Sequence, residues 1–389
     1  MTALSEMDVA IAGSTANARV RRGVQTIRTP ADLDRIASAW ERLAADRNPV
    51  SDFAYARAWA AGLGDAQQLS AMTAGDTETL AIAPLVINRG GAGWLTLLAA
   101  EMYEIMDFVY TDESAVSELA RAIVRTGRPL DLKRIPADAP VVAAIEAAYR
   151  GRGILRRRPA GGSPWIPLDD SWAEPEIRLE AGRRSDLRRA KRHAEKMGAV
   201  ETAIIAPTRA ELPQLLEEAF QVEAAGWKGA HGTALAADPV RGAFFRRYTE
   251  QACAKGILRM CVLRIGGRPA AAQIAIESGS RFDLLRAGYD EQFSRCSPGM
   301  LLTAESIRYA ARRGLRAYEF NGDVEPWTKV WTQHEHACCS LRAYPFSPRG
   351  AWALLADGGR LWGSLVTCGP IANRPVCSDS GKLRQRFKA

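Results

Sequence analysis

Two stretches of the chain alternate apolar and polar residues on either side of a turn, and each predicts a β-hairpin. Residues 69–87 alternate around an Ala-Gly-Asp turn, and residues 258–276 alternate around Gly266 and Gly267. A period of two places every second side chain on the same face of a strand, and glycine suits the tight turn between two strands. The same pattern in two places indicates an internal duplication.

Segments with helical periodicity stand before and after each hairpin in the same order. Each hairpin is followed by a strand, a loop, a helix and a further strand, so we predict two α+β units joined near residues 158–172. The predicted helical segments are 32–46, 53–63 and 113–127 in the first unit and 211–227, 242–256 and 299–314 in the second. The expected division is a disordered tail (1–22), two domains (23–170 and 171–347) and an appendage rich in Gly, Pro and Arg (348–389).

Composition limits the class of protein. Of the 389 residues, 47% are hydrophobic and 25% are charged, which is typical of a soluble globular protein. There is no apolar run near the ~20 residues of a membrane span and no signal-peptide core, and all seven cysteines lie beyond residue 250 without a CxxC pair. These features predict a cytoplasmic protein with reduced thiols. The net charge of +8 predicts an anionic partner, such as a phosphorylated cofactor, a nucleic acid or an acidic glycan.

The two units differ at the start of the helix after the hairpin. In the second unit this helix opens with Ser297-Pro298-Gly299, which leaves backbone N–H groups at the positive end of the helix dipole and forms a candidate anion site. In the first unit it opens with Asp112 and Glu113, which would repel a phosphate. The alternative for Ser-Pro-Gly is an ordinary helix start, where Ser and Pro are both common.

Five motifs occur in an order that resembles a known family. They are EAAGWKGAHGTAL (223–235), FFRRY (244–248), GGRPAAAQIAI (266–276), YDEQFSRCSPGMLL (289–302) and YEFNGDVEPWTKVW (318–331). Together they resemble the FemAB-like, double-domain branch of the GNAT acyltransferases, and within it the cellulose or exopolysaccharide biosynthesis acetyltransferases. The resemblance covers residues 30–347 and is clearest from 180 to 335. Where such proteins typically have Tyr-Lys after the Gly-Asp element, this chain has Thr328-Lys329, so only the lysine is retained.

The resemblance implies an α+β fold of two tandem GNAT-like domains, each with a mixed, mainly antiparallel sheet flanked by helices. It implies that the second domain binds acetyl-CoA or another acyl-CoA as co-substrate, that the first domain is structural, and that the acceptor lies between them. The donor's pyrophosphate would meet four backbone amides, with Arg295 or Arg286 supplying positive charge. The four amides are those of Ser297, Gly299, Met300 and Leu301.

Acyl transfer from a thioester to an amine requires a neutral amine, a donor to the carbonyl oxygen and, in some cases, a proton for the leaving thiolate. Asp323, at the end of a predicted strand, is the first candidate for the base, and Glu319 is the second. The alternative for Asp323 is a turn residue of the Asn-Gly-Asp sequence. Tyr289 is the candidate acid, and ordinary strand packing is its alternative.

Aromatic residues beside lysines are candidates for binding a sugar or phosphosugar acceptor. Trp227 and Lys228 form one such pair, and Lys329 and Trp331 form the other. The alternative for both is a core tryptophan beside a lysine that reaches solvent.

Two histidines in the sequence QHEH (333–336) have no third ligand nearby, so no metal site is predicted.

A helix with six basic residues and one acid between Arg183 and Arg192 is either a solvated face or a groove wall for an anionic acceptor.

The leading hypothesis is an acyl-CoA-dependent N-acyltransferase that acetylates a glycan or a lipid-linked sugar, with peripheral membrane association if the acceptor is lipid-linked. The alternatives are an aminoacyl-tRNA-dependent transferase of the Fem type, and a non-catalytic binding protein with a basic tail at 373–389. The sequence does not indicate an oligomeric state.

Overall fold

The computed structural model describes residues 23–366 except 46, 227–231 and 233, and from 359 to 366 it describes the backbone alone. The predicted tails at 1–22 and 373–389 therefore lie outside the described residues. The helices are α1 Pro30–Asp34, α2 Ala37–Ala44, α3 Phe53–Ala60, α4 Glu113–Arg125, α5 Pro140–Tyr149, α6 Pro175–Arg178, α7 Ala181–Met197, α8 Leu212–Ala224, α9 Pro239–Ala254, α10 Pro298–Arg312 and α11 Pro348–Val366.

The strands form two sheets, and both predicted hairpins are present as β3–β4 and β11–β12. A small sheet has the order β1-β3-β4-β7, and a sheet of eleven strands has the order β10-β11-β12-β13-β14-β9-β15-β8-β6-β5-β2. The strands are β1 Val24–Ile27, β2 Gln67–Leu69, β3 Ala71–Gly75, β4 Thr79–Ala83, β5 Leu85–Asn88, β6 Leu95–Leu97, β7 Val109–Tyr110, β8 Leu130–Pro136, β9 Gly153–Pro167, β10 Val200–Ile205, β11 Leu258–Ile265, β12 Arg268–Ser278, β13 Arg281–Tyr289, β14 Ala317–Glu319 and β15 Glu335–Pro345.

The two halves of the chain exchange strands in the large sheet. The end of β9, which belongs to the first half, pairs with β14 of the second half. In return β15, the last strand of the second half, lies between β9 and β8 and pairs with both. The eleven-stranded sheet is therefore continuous across the predicted domain boundary at residue 170.

The apolar core is divided by the sheet of the second half. One cluster lies on the face covered by α8 and α9 and continues without interruption into the first half, where the Tyr55 ring of α3 contacts Phe244 and Tyr248 of α9. The other cluster lies under α7 and α10 on the opposite face. Helix α9 thus packs against α3 of the first half.

Arg134 links three separate backbone segments where the halves meet. Its side chain is 1% exposed, and its guanidinium donates to the carbonyl oxygens of Tyr103, Gly161, Gly162 and Gly322. The Arg134 backbone has a left-handed φ of 48° at a bulge in β8, which directs the side chain toward the second half. Because the loop, strand and turn that supply these carbonyls come from both halves, Arg134 fixes their relative position.

The segment after residue 347 begins as α11, which packs on β15. Ala353 is buried, and the Asp357 carboxylate accepts from Arg342 at 2.7 Å and from the Tyr344 hydroxyl at 2.6 Å. Trp352 and Leu355 are exposed on its outer side. Within the described parts of the chain, none of the helices combines the length and apolar character that a bilayer span requires.

Candidate active site

The first turn of α10 has no side-chain cap. Its N-cap Ser297 is left-handed, with a φ of 43°. Three of the four amides assigned to phosphate donate to nearby carbonyls: Ser297 N–H to Ser294 O, and both Met300 N–H and Leu301 N–H to Ser297 O. The fourth, Gly299 N–H, donates to no backbone carbonyl in the described part of the chain. Of the four amides predicted to bind phosphate, only that of Gly299 is therefore without a backbone acceptor among the described residues.

The corresponding helix of the first half is closed by a carboxylate, as its sequence predicts. The Asp112 Oδ1 atom accepts from Ser114 N–H at 2.7 Å and from Ala115 N–H at 3.3 Å. This oxygen occupies the position that an anion would take at the end of α4. The helix starts of the two halves are therefore chemically different.

Tyr289 lies beside the start of α10. A Cβ atom placed on Gly299 would stand 3.6 Å from the Tyr289 ring, so the ring and the helix end are in contact. The Tyr289 hydroxyl donates to Glu291 Oε1 at 3.2 Å, and partial burial raises the pKa of the phenol, with the negative charge of Glu291 adding to the effect. Arg295 is exposed one turn before the helix. Both effects favour the protonated form of the Tyr289 phenol.

Strands β13 and β14 pair for only three residues and then separate. The parallel pairing runs from Arg281 to Asp283, and a bulge between Leu284 and Arg286 turns β13 away. The Asn321 side chain spans the start of the gap and donates to Leu284 O at 3.4 Å. Beyond Asp283 the two strands no longer pair with each other. We call the space between the diverging strands the cleft, since a ligand can take the place of missing strand contacts at such a point.

Glu319 lies at the closed end of the cleft in a buried charged cluster. Its carboxylate is within 3.3 Å of Arg281 Nη1 and 3.0 Å of His336 Nε2, and Arg281 also contacts Asp283 at 3.0 Å. Burial raises the pKa of Asp283 to about 6, against the lowering effect of Arg281. Trp165 stacks on His336 with ring centroids 5.0 Å apart. The Glu319 carboxylate is therefore buried and already held by two partners, Arg281 and His336.

Asp323 follows a turn in which Asn321 and Gly322 are both left-handed, with φ values of 52° and 56°. The Asn-Gly pair, rather than the aspartate, thus carries the turn geometry. The Asp323 Oδ1 atom is 3.7 Å from Arg134 Nη2 and has no hydrogen-bond partner among the described residues. The Asp323 carboxylate is partly exposed and partly neutralised by Arg134.

Comparison with known proteins assigns the second half. Residues 181–329 match the family model of the acetyltransferase (GNAT) domain. This segment is a GNAT domain. It contains the open end of α10, Tyr289 and the cleft between β13 and β14, so the predicted acyltransferase is confirmed at the level of family. No curated protein sequence matches the chain significantly.

Solved structures show that the GNAT-like fold extends over both halves. The chain is similar to the C-terminal domain assigned to a lysylphosphatidylglycerol synthetase of Agrobacterium fabrum, with 12% identity, a TM-score of 0.53 and coverage of 85% of this chain and 97% of that one. It is similar to L-PGS from Bacillus licheniformis (12%, TM-score 0.50, 83% and 96%) and to FemX (12%, TM-score 0.50, 83% and 97%). The predicted α+β fold of two GNAT-like halves is confirmed.

The remaining predicted residues of the GNAT domain differ in their surroundings. Lys329 is exposed and lines a surface cleft of about 220 Å³ together with His334 and Glu335. Trp331 is 4% exposed in the core under α10, which favours a packing role. Trp227 and Lys228 lie outside the described residues. Among the described residues, no three His, Cys, Asp or Glu side chains come together in a way that could hold a metal ion.

Tyr55, Tyr248 and Glu104 were not predicted as site residues, because they come from distant parts of the sequence, whereas Arg286 was predicted as a source of positive charge for the donor. The hydroxyls of Tyr55 and Tyr248 and the Nε atom of Arg286 are buried without a hydrogen-bond partner among the described residues. Arg286 also pairs with Glu223 at 2.8 Å, and Glu104 of the first half contacts the Gly322 amide at 3.2 Å. Buried polar atoms that lack partners mark a place where a polar ligand can bind. The sequence feature that could have indicated Tyr55 and Tyr248 is the aromatic and basic content of the segments 53–60 and 244–248.

Proposed function

We propose that the protein is an acyl-CoA-dependent N-acyltransferase that transfers an acetyl or similar acyl group to an amine of a glycan or lipid-linked sugar precursor, as in exopolysaccharide biosynthesis. The observation that carries this proposal is the uncapped start of α10 beside the cleft between β13 and β14, inside the GNAT domain. A thioester donor needs an anion site for its pyrophosphate and a gap for its extended arm, and these two features lie next to each other.

The charges near α10 support a phosphorylated donor. The Gly299 amide points out of the positive end of the helix, and Arg295 is exposed one turn earlier. Helix α7 approaches the same place, since Met197 Sδ is 3.4 Å from Cys296 Sγ. The exposed Lys196 at this end of α7 adds a further positive charge.

The polar groups shared by the two halves support an acceptor site between them. Tyr55 comes from the first half and Tyr248 and Arg286 from the second, and all three have unpartnered polar atoms in the described part of the chain. A hydroxyl-rich molecule such as a sugar is suited to such a set of donors and acceptors. In this proposal Tyr289 protonates the leaving thiolate, and a carboxylate at the cleft takes the proton of the amine, with Asp323 and Glu319 as the candidates from sequence.

Acyl-CoA is a cytoplasmic metabolite, so the proposed location is the cytoplasm. A lipid-linked acceptor would add peripheral contact with the membrane.

A second candidate function is aminoacyl transfer from tRNA, which the exposed basic residues of α7 favour. Arg183, Arg188 and Arg189 are all exposed there, and the Asp186 carboxylate pairs with Arg183 and Arg189.

The Gly299→Asp variant tests the donor site. There is room for a side chain at this position, and an acidic residue is favourable in the first turn of a helix, so the fold should be retained. The new carboxylate would stand against the donor pyrophosphate. We expect calorimetric titration with acetyl-CoA and free CoA to show at least about a tenfold loss of affinity, or about 1.4 kcal/mol.

The Gly299→Asn variant is the matched control, because it has the same size without the charge and should lose much less affinity. Equal affinity of Gly299→Asp and wild type for CoA would rule out α10 as the donor site. Binding of charged tRNA with no binding of CoA by the wild type would favour the aminoacyl-tRNA alternative.

A further inference from the structure

A loop of the first half, residues 99–107, contacts the turn of the GNAT domain that follows β14. Two residues with left-handed backbones shape it, Ala99 with a φ of 64° and Tyr103 with a φ of 61°. Arg134 holds the loop by donating to the Tyr103 carbonyl. The next residue, Glu104, accepts a hydrogen bond from Gly322 N–H at its Oε2 atom, at 3.2 Å. The loop therefore places a carboxylate from the first half against the turn that follows β14.

Glu104 stands where β13 and β14 separate. Gly322, its partner, follows Asn321, the residue whose side chain reaches Leu284 across the start of the gap. Glu104 is half-buried, and its Oε1 atom makes no hydrogen bond to a described residue. One carboxylate oxygen is thus anchored and the other is available to a ligand in the cleft.

The groups around Glu104 favour a carboxyl that exchanges protons near neutrality. Burial raises the pKa of Glu104 to about 7, the Gly322 amide, Arg134 and Arg286 oppose this rise, and Asp283 adds to it. Tyr55 of α3 also lies close, since the charge of Glu104 contributes to the raised pKa of its buried phenol. A general base is most effective when its pKa is close to the working pH.

We propose that Glu104 of the first half is the catalytic base that accepts the proton of the attacking amine, which presupposes the acyl transfer proposed above. The competing carboxylates are less suited to this role. Glu319 is 2% exposed and bonded to Arg281 and His336, and Asp323 faces Arg134. The first half is then part of the active site and not a structural partner alone.

In this reaction the acceptor enters as an ammonium and gives one proton to the Glu104 carboxylate. The neutral nitrogen attacks the acyl carbon, an N–C bond forms, and the C–S bond breaks with its electron pair going to sulfur. The thiolate receives a proton from Tyr289. The second amine proton leaves the nitrogen as the amide forms and, by way of solvent, replaces the proton that Tyr289 has given up. Glu104 returns its proton to solvent, so the products are an amide, free CoA and one proton.

The Glu104→Gln variant tests this role with acetyl-CoA as donor and D-glucosamine as the acceptor probe. Glutamine still accepts from the Gly322 amide, so the loop should keep its place. We expect kcat to fall by about 10²–10⁴-fold with unchanged CoA affinity. The wild-type rate should rise with pH through about 7 as Glu104 loses its proton. That rise should weaken in the variant.

The matched control is Glu101→Gln on the same loop, where Glu101 is exposed and accepts from Gln67 at 2.6 Å. It should retain wild-type turnover and the wild-type pH profile. A fall of 10²-fold or more in Asp323→Asn, with Glu104→Gln near wild type, would overturn the assignment and return the role to Asp323.

A second measurement does not depend on the acceptor. The infrared difference between wild type and Glu104→Gln should contain a carboxyl band that titrates near neutral pH. A Glu104 that is already ionised well below pH 5, in the range of an ordinary glutamate, would overturn the assignment by itself. If the wild type does not bind CoA, the proposed function itself is contradicted. Failure of the Glu104 assignment and failure of the proposed function can therefore be distinguished.

Discussion

At the scale of single residues, Asp107 provides a pH-dependent test of the structure. Its side chain is 9% exposed, 3.4 Å from Arg47 and bonded to the Phe108 amide. Burial raises the pKa of Asp107 from 3.8 to about 6, despite the opposing effect of Arg47. A carboxyl with a raised pKa in the folded state favours folding when it is protonated. Its ionisation therefore lowers the free energy of unfolding as the pH rises from about 4 to about 6.

The Asp107→Asn variant removes this ionisation and keeps a similar shape. We expect its free energy of unfolding, relative to that of the wild type, to increase by about 2 kcal/mol between about pH 4 and pH 7. Urea denaturation of both proteins at a series of pH values measures the difference. A constant difference across this range would mean that Asp107 titrates normally in the folded protein.

The residues that could be predicted from sequence are those whose role depends on close neighbours. Asp112 caps the start of α4, and Gly299 leaves a backbone N–H free of a backbone acceptor at the start of α10. Both features follow from a few adjacent residues. Glu104 could not be predicted, because its loop has no periodic pattern. Its surroundings are built by Arg134, Arg286 and Gly322, which are 30 to 218 positions away in the chain.

At the scale of elements, a bulge in β9 makes room for Asp323. Two glycines of β9, Gly161 and Gly162, lie opposite the single residue Ala337 of β15. A Cβ atom on Gly161 would stand 2.3 Å from Asp323 Oδ1, closer than such atoms can approach. Gly161→Ala should therefore displace the Asp323 carboxylate from Arg134 and lower the free energy of unfolding by about 1–3 kcal/mol.

A double-mutant cycle with Asp323→Ala checks the cause, since the cost of Gly161→Ala should largely disappear once the carboxylate is gone. The expected coupling is about 1 kcal/mol or more. Gly64→Ala is the control, because Gly64 has no atom within 4 Å of the added Cβ and does not have a left-handed φ. Additive effects in the cycle would refute a direct clash.

Among the elements, some strands could be predicted from the sequence and others could not. The hairpins β3–β4 and β11–β12 follow from alternation because the partners are adjacent in the chain. Strand β9 has the sequence GILRRRPAGGSPWIP, in which three arginines, three prolines and three glycines interrupt any alternation. Its length and its partners are set by strands from both halves, which no local pattern encodes.

At the scale of the whole molecule, the exchanged strands predict that the first half does not fold alone. A fragment of residues 1–170 lacks β15, so β8 and β9 would each expose an unpaired edge. We expect this fragment to show no cooperative thermal transition by circular dichroism. Addition of a peptide of residues 333–347 should restore one, and a scrambled peptide should not. A cooperative transition of the fragment alone would contradict this.

The exchange also has a consequence for the chain during its synthesis. A ribosome delivers the first half early, yet the gap between β8 and β9 stays open until residues 335–345 emerge, about 170 residues later. At translation rates of about 5–20 residues per second this delay lasts roughly ten to thirty seconds. The nascent first half must remain without its central strand over that time, which makes it a candidate client for chaperones that bind exposed strand edges.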